Sequence, residues 1–292
     1  MGWNEFVDHY GVSIKYRVWD AVGSPRAVVA VLHGVGEHSG RYVELAEQLR
    51  NAGFEVWADD HRGHGETGRA QHGGDLSKIG TPGPGGMRAT IAAVEQFLDL
   101  ARAAHPELPF VLIGHSWGSL MAQDILNRTP ERFDAVVLTG TAYRTLFSMD
   151  AGDLNRKHKH LGNTGLEWLS RDAAVAQAFV DDELCTSTPL MKLFGVVDAL
   201  RLLGRPARQL PAELPLLIMI GADDTLGGER SVRKLGDAYL KRSGLRDVTV
   251  VVYPEARHEV FNETNRDEVF ADLIGWLDQR VAGMRPQTTQ PT

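Results

Sequence analysis

The chain has 292 residues, a size that suits one large α/β domain, alone or with an insertion. Its net charge of −7 gives no reason to expect nucleic acid or an anionic membrane as partner. The single cysteine, Cys185, excludes an internal disulfide and a cysteine-based metal site, and we find neither a signal pattern nor a membrane-spanning run, so we expect a soluble, cytoplasmic protein.

Strands and helices are predicted to alternate along most of the chain. Continuous apolar runs such as residues 27–32 are typical of strands buried on both faces, whereas apolar residues at helical spacing, as in 86–104, indicate amphipathic helices. This rhythm predicts a mostly parallel sheet with helices on both faces. The predicted strands are 13–19, 27–32, 54–58, 110–113, 135–138, 214–220 and 248–253, and the predicted helices are 41–52, 86–104, 119–126, 232–241 and 269–281.

The alternation stops between residues 143 and 208, which look helical and irregular. We therefore expect a core formed by residues 1–142 and 209–282, with 143–208 inserted as a cap, and a disordered tail over 283–292. Ligands bind outside the carboxyl ends of strands in such sheets, so the cap is expected to roof the site. We expect it to set substrate preference without contributing to the chemical step.

Gly114-His115-Ser116-Trp117-Gly118 lies between a predicted strand and a predicted helix. G-x-S-x-G in this context is the nucleophile-elbow pattern, in which a tight turn projects the serine hydroxyl and the glycines allow close backbone approach. The helix N-terminus behind the serine favours a developing oxyanion. The sequence thus predicts Ser116 as a nucleophile.

A serine hydroxyl needs a histidine base that is oriented by a carboxylate, and in this architecture both follow late strands in the order serine, acid, histidine. Asp223 and Asp224 follow the strand that ends near residue 220, and His258 follows the strand that ends at residue 253. We predict His258 as the base and prefer Asp224 over Asp223 as the acid. The oxyanion donors are predicted to be the N–H groups of Trp117 and Val35.

Longer motifs around these residues resemble the monoacylglycerol lipase and lysophospholipase branch of the α/β-hydrolases. Residues 33–42, His-Gly-Val-Gly-Glu-His-Ser-Gly-Arg-Tyr, match its H-G-x-G-E-H-S-x-R-Y signature, and Asp60 to Gly65 resembles its D-x-R-G-H-G turn. Residues 221–224 place Asp224 at the family acid, and residues 253–263 resemble its histidine loop. The chain departs from many members at Trp117 and Ser119, where Met and Gly are usual, and at Thr67, where serine is usual.

The resemblance implies an α/β-hydrolase fold and a serine carboxylic-ester hydrolase that needs no cofactor or metal. Its expected substrates are monoacylglycerols, lysophospholipids or similar medium-chain esters, with transient membrane contact through the cap left open. Trp117 is expected to narrow the acyl side of the site. His38 and Arg41 either contact a substrate head group or pack the start of a helix. His158 and His160 are expected to lie in a solvated basic loop without a metal.

Two other functions use the same residues. A peptidase or amidase would employ the same triad on a different bond. A ligand-binding homologue of low turnover would keep the fold, although the presence of every catalytic residue type disfavours it. The oligomeric state is not readable from the sequence.

Overall fold

One sheet of eight strands runs through the computed structural model, which describes residues 2–150 and 152–281. The strand order is β1-β2-β4-β3-β5-β6-β7-β8. β1 pairs with β2, and β2 with β4, in antiparallel orientation, and the other five pairs are parallel, so the mostly parallel sheet predicted from the sequence is confirmed. The strands are β1 (Asn4–Val7), β2 (Ser13–Trp19), β3 (Ala27–Leu32), β4 (Phe54–Asp59), β5 (Phe110–His115), β6 (Ala135–Thr139), β7 (Leu216–Gly221) and β8 (Val248–Tyr253).

Helices cover both faces of this sheet. Alternate side chains of each central strand point to opposite faces, so Val28 and Ala30 pack in one apolar cluster while Val29 and Val31 pack in the other. Every residue of β3 to β7 is buried, as expected for parallel strands covered on both sides. The α-helices are α1 (Val43–Asn51), α2 (Gly65–Gln71), α3 (Gly86–Ala104), α4 (Trp117–Arg128), α5 (Ala173–Asp181), α6 (Leu190–Leu200), α7 (Gly228–Ala238) and α8 (Arg266–Val281).

The structure adds two short elements that the sequence reading did not predict. β1 has four residues and no buried one, so it carries no apolar run. α2, Gly-Glu-Thr-Gly-Arg-Ala-Gln, contains two glycines, which are poor helix formers. The predicted tail over 283–292 lies outside the described residues.

The connections place three loops at one edge of the sheet. From β3 the chain moves to β4 on one side and later to β5 on the other, which makes the carboxyl ends of β3 and β5 a topological switch point. The loop after β7 and the loop after β8 end at the same edge. The 143–208 segment, which contains α5 and α6, connects β6 to β7.

Candidate active site

Ser116 occupies a strained turn between β5 and α4. Its backbone has φ 51° and ψ −122°, outside the regions that most non-glycine residues adopt. A Cβ atom on Gly118 would come within 2.3 Å of the Leu32 carbonyl oxygen, and one on Gly114 within 2.8 Å of the Ser119 Cα. Both positions therefore need glycine, because the elbow backbone lies directly against β3 and the start of α4.

His258 and Asp224 form a buried pair at the ends of the last two strands. The His258 Nδ1 lies 3.0 Å from the Asp224 Oδ2, and the two residues are 1% and 5% exposed. The other carboxylate oxygen of Asp224 accepts the Leu226 N–H at 2.8 Å, which fixes its orientation. The neighbouring Asp223 instead accepts from Lys157 at 2.7 Å. Of the two candidate acids, the structure brings Asp224 to the histidine.

The second ring nitrogen of His258 is left without a protein partner in the part of the chain that the structure describes. Among the described residues the His258 Nε2 has no hydrogen-bond partner, although it is buried, and His258 and Ser116 line the same cavity. Burial alone would lower the pKa of His258, but the carboxylates of Asp224, Glu259 and Glu37 raise it above its ordinary value. The adjacent His115 has its pKa lowered by burial and by His258 to about 3, so it is neutral.

The loop after β3 lies against the nucleophile. A Cβ atom on Gly34 would come within 3.1 Å of the Ser116 Cβ, and the Gly34 N–H donates to Glu37 at 2.6 Å. Within the described chain the Val35 N–H makes no hydrogen bond, and Trp117, the first residue of α4, has no intrahelical partner for its N–H. Both N–H groups thus belong to residues that line the cavity beside Ser116 and have no other acceptor.

Arg41 is held between two carboxylates rather than in the cavity. It binds Glu259 through two bonds of 2.7 and 2.8 Å and Glu37 through one of 2.8 Å. Burial opposes ionisation of Glu259, yet Arg41 holds the pKa of that carboxyl down at about 2. Because Glu37 belongs to the β3 loop and Glu259 follows His258, this cluster joins two loops of the site.

His38 is also committed to a protein partner. Its Nδ1 accepts the Gly40 N–H at 3.1 Å, so its Nε2 carries the proton and donates to Asp182 at 2.8 Å. Neither His38 nor Arg41 lines the cavity. Each of these side chains makes one local contact, to Gly40 or Glu37, and also binds a carboxylate of a remote segment, Asp182 or Glu259.

A cavity of about 940 Å³ opens above Ser116. Its volume falls within the range of small-molecule sites, and most of its lining is apolar. Glu37 and Glu259 are charged residues in its lining, and both carboxylates act on the charge of His258. Apolar lining residues contributed by the 143–208 segment include Leu146, Met149, Leu154, Leu166, Trp168, Phe179, Leu190, Met191, Val196, Leu200 and Leu203.

The 143–208 segment is also bonded to the loops that carry the site. The Glu259 N–H donates to the Leu169 carbonyl at 2.8 Å, and the Thr186 N–H donates to the Gly36 carbonyl at 2.8 Å. The Trp168 ring lies 4.5 Å from the His258 ring. Sequence reasoning missed these contacts, because no periodicity marks Trp168 or Thr186 in a segment without regular strands.

Two sets of side chains in the described residues are candidates for metal ligands by residue type. His38, Asp182 and Cys185 bring ligand atoms within 4.8 Å of one another. Burial raises the pKa of the Cys185 thiol, and the charge of the nearby Arg41 disfavours a cation. His158 is 3% exposed and its ring nitrogen lies 3.2 Å from the Asp223 carbonyl, so the expectation of a solvated loop is wrong for His158, while His160 is exposed. These two histidines therefore do not form a pair.

Most of the chain is similar to a known protein family and to curated lipases. Residues 23–265 match the model of the Hydrolase_4 family, described as serine aminopeptidase, S33. The chain is 34% identical to the monoacylglycerol lipase of Mycolicibacterium smegmatis over 91% of this chain and 93% of that protein, and 29% identical to the monoglyceride lipase of Homo sapiens over 91% and 87%.

A solved structure matches the fold over nearly the whole length. The thermostable carboxyl esterase from Bacillus coagulans, in complex with glycerol, superposes with a TM-score of 0.84 at 23% identity, over 96% of this chain and 98% of that one. That likeness identifies the α/β-hydrolase fold. In the part of the chain that the structure describes, no helix has the length and apolarity to cross a membrane.

Proposed function

Because the chain belongs to the Hydrolase_4 family of α/β-hydrolases and is a carboxylic ester hydrolase, we propose that it cleaves monoacylglycerols, lysophospholipids or similar medium-chain esters with Ser116 as nucleophile. One observation carries this proposal. His258, whose Nδ1 is bonded to the buried Asp224, has an Nε2 that is unpartnered among the described residues, and it lines the same cavity as Ser116. A base with no protein partner, beside a strained serine, is suited to remove that serine's proton.

The proposed reaction has two halves. His258 Nε2 takes the Ser116 hydroxyl proton as the oxygen attacks the ester carbonyl, and Asp224 stabilises the imidazolium through Nδ1. The protonated ring then gives that proton to the leaving alcohol, which leaves an acyl group on Ser116. His258 next removes a proton from water as the water oxygen attacks the acyl carbon. The imidazolium then returns that proton to the Ser116 oxygen as the bond between this oxygen and the acyl carbon breaks, which releases the acid and restores the serine hydroxyl.

The oxyanion of each half-reaction is assigned to two N–H groups. Val35 and Trp117 each have an N–H with no acceptor within the described chain, and both line the cavity beside Ser116. Such preorganised donors stabilise charge that develops in the transition state, and the loss of one donor costs roughly 10²- to 10³-fold in rate. Gly34 supports this assignment, because its closeness to Ser116 brings the β3 loop to the reacting carbon.

The apolar cavity supports a lipid-like acyl group. Its walls come largely from the 143–208 segment, which we propose acts as a cap over the core of residues 1–142 and 209–282. The relatives named monoacylglycerol and monoglyceride lipases favour a glycerol ester over other alcohols. The small polar part of an acylglycerol would lie near Glu37 and Glu259, which are charged residues in the lining.

The nucleophile assignment is tested by Ser116→Ala. We expect this variant to lose nearly all turnover of a p-nitrophenyl ester and all labelling by a fluorophosphonate, with an unchanged circular-dichroism spectrum. Ser187, another serine that lines the cavity, provides the matched control, because Ser187→Ala should still be labelled. Labelling that persists in Ser116→Ala and disappears in Ser187→Ala would overturn the assignment.

The family description keeps an amide-cleaving alternative open to test. The Hydrolase_4 family is described as serine aminopeptidase, and the same triad attacks both bonds. A series of acylglycerols and p-nitrophenyl esters, set against the matching acyl p-nitroanilides, separates the two. We expect multiple turnovers on esters of medium acyl length and much slower cleavage of the anilides. One stoichiometric burst without further turnover would indicate a binding homologue instead.

A further inference from the structure

Ser119 is buried behind the nucleophile and has no place in the reaction described above. It is the third residue of α4, it is fully buried, and it stands where many members of the resembled branch have glycine. Its Oγ lies 2.6 Å from the Ser116 carbonyl oxygen and 2.8 Å from the Thr141 Oγ1. Thr141, just beyond β6, is also fully buried. A buried hydroxyl needs hydrogen-bond partners, and the two partners of Ser119 are the elbow carbonyl of Ser116 and the Thr141 hydroxyl.

Gln123 continues the same set of contacts one step further from Ser116. Its Nε2 lies 3.1 Å from the Ala142 carbonyl oxygen and 2.9 Å from the Thr141 Oγ1. Because a carbonyl oxygen can only accept, the amide atom beside Ala142 must be nitrogen, and its two protons serve the two acceptors. Gln123 is therefore a donor to Thr141.

The two ends of this series fix the direction of every proton in it. The Ser116 carbonyl can only accept, so at 2.6 Å it must receive the single proton of the Ser119 hydroxyl. The contact between Ser119 and Thr141 must then be donated by Thr141, which itself accepts from Gln123. We call Gln123, Thr141 and Ser119 the hydroxyl chain. In it Gln123 donates to Thr141, Thr141 donates to Ser119, and Ser119 donates to the Ser116 carbonyl.

That carbonyl belongs to the peptide group whose N–H is on Trp117. Resonance couples the two ends of a peptide, so a donor on the oxygen draws electron density from nitrogen and makes the N–H a stronger donor. Hydrogen bonds in series polarise one another, by roughly 10–30% per bond in condensed-phase estimates. The Ser116 oxygen also accepts the N–H groups of Ser119 at 2.9 Å and Leu120 at 3.1 Å, and the hydroxyl adds a third donor.

We propose that the hydroxyl chain strengthens the oxyanion hole, and that Ser119 is a positioning residue that acts through the Ser116–Trp117 peptide. This inference rests on the proposed function, since it takes the Trp117 N–H as an oxyanion donor. The Ser119 hydroxyl touches no substrate atom. It holds and polarises the peptide so that the Trp117 N–H binds negative charge more tightly in the transition state than it binds the neutral ester carbonyl.

Kinetics of Ser119→Ala provide the first test. We expect kcat/KM for a p-nitrophenyl ester to fall about three- to tenfold, mostly through kcat, since one donor is weakened and not removed. Ser243→Ala is the matched control, because the Ser243 Oγ also donates to a backbone carbonyl at 2.6 Å from a buried position. Its kcat/KM should stay at the wild-type value.

Variants of Thr141 test the series without touching α4. Thr141→Val removes the donor to Ser119 but leaves the Ser119 bond to Ser116, so the loss should be in the same direction and smaller. Thr141→Ser should instead retain the wild-type kcat/KM, because serine keeps the hydroxyl that donates to Ser119. In the double variant Ser119→Ala with Thr141→Val, we expect no loss beyond that of Ser119→Ala, since the two act through one bond.

A spectroscopic measurement separates polarisation from a general loss of stability. An acyl-enzyme formed with a ¹³C-carbonyl ester and trapped by acidification, which protonates His258, has an infrared carbonyl stretch that reports hydrogen bonding to the acyl oxygen. The stretch should move to higher wavenumber in Ser119→Ala and less in Thr141→Val, and should not move in Ser243→Ala. Equal rate losses in all three variants, or an unshifted stretch in Ser119→Ala, would overturn the proposal. Failure of the wild type to form an acyl-enzyme would instead refute the proposed function.

Discussion

The central sheet and the 143–208 segment contain the same apolar residue types but differ in how far those residues are buried. All six residues of β5 are buried, whereas α6, Leu-Met-Lys-Leu-Phe-Gly-Val-Val-Asp-Ala-Leu, contains no buried residue. In the segment, Phe147 is 99% exposed and Val197 69% exposed. An apolar sequence therefore leads to burial only where neighbouring elements cover it. In the segment it instead provides the walls of a cavity and a surface that meets solvent.

The segment also packs against the core and forms backbone bonds to the loops beside Ser116. Its own small cluster of Leu166, Leu169, Ala176 and Phe179 anchors it, and Phe194 on α6 packs 5.0 Å from the Trp117 ring. Its backbone bonds to Gly36 and Glu259 support the loops on either side of Ser116. The two regions therefore differ in what they provide: the sheet forms the buried core, and the segment lines much of the cavity and forms backbone bonds to two loops beside it.

The largest loss of kcat is expected for a substitution at the carboxyl end of β7, at the proposed acid. Asp224→Asn should lower kcat by about three to four powers of ten, the scale of losing a triad carboxylate, because the His258 ring loses its orienting acceptor. Asp223→Asn should change kcat by less than about threefold, since its partner Lys157 forms only a surface pair. Steady-state kinetics on one ester measure both, and the opposite ranking would contradict the assignment of the acid.

A matched pair of valines measures the difference in packing. Val137 in β6 is fully buried and Val197 in α6 is 69% exposed. Val137→Ala should lower the free energy of unfolding by about 2–3 kcal/mol through lost burial and a residual cavity, while Val197→Ala should change it by about 0.5 kcal/mol or less. Urea unfolding of both variants gives the two values. Similar losses would show that the segment is packed as tightly as the sheet.

Substitutions of the segment's cavity-lining side chains should change the preferred acyl length more than the turnover of a short ester. Leu154→Ala and Leu203→Ala enlarge the cavity, so the preferred acyl length should increase, while turnover of an acetate ester should stay within about tenfold because the reacting groups are untouched. Leu240→Ala, a change at an exposed leucine outside the cavity, is the control. If acetate and long-chain turnover fell equally in folded variants, the segment would belong to the catalytic machinery.

The smallest effect concerns pH. In the proposed mechanism neutral His258 is the base, so we expect activity to be lost as the ring gains a proton at low pH. The carboxylates of Asp224, Glu259 and Glu37 raise the pKa of His258, so the rising limb of kcat/KM should lie above pH of about 6.5. The adjacent His115 stays neutral there, with its pKa lowered to about 3.

Glu259→Gln removes one of these carboxylates and should move the limb to lower pH. Glu229→Gln, at an exposed helix position paired with Arg233, should leave it in place. A limb that moves upward in Glu259→Gln, or moves equally in both variants, would contradict the assigned cause. The profile of kcat/KM against pH for one ester measures both variants.

Local pattern was enough to predict most of the framework. The bounds of β2, β3, β8 and α3 agree with the sequence prediction, because long apolar runs and clear helical periodicity leave little choice of element. The short β1 and the glycine-containing α2 were missed, because neither has a pattern that exceeds that of a loop. The family motif also brought Ser116, Asp224 and His258 forward as candidates, since their order follows from the order of the strands.

The sequence by itself therefore determined the fold class and the candidates for the chemistry, because strands, turns and their order are encoded by neighbouring residues. Only the tertiary structure decided what surrounds them. From the sequence, Arg41 could contact a substrate head group or pack the start of a helix, whereas in the structure it binds Glu259, 218 positions away. Ser119 read as a departure from a family pattern until Thr141 and Gln123 fixed the direction of its proton. Such roles depend on distances between segments remote in the chain, and those distances are set when the helices and loops pack on the sheet.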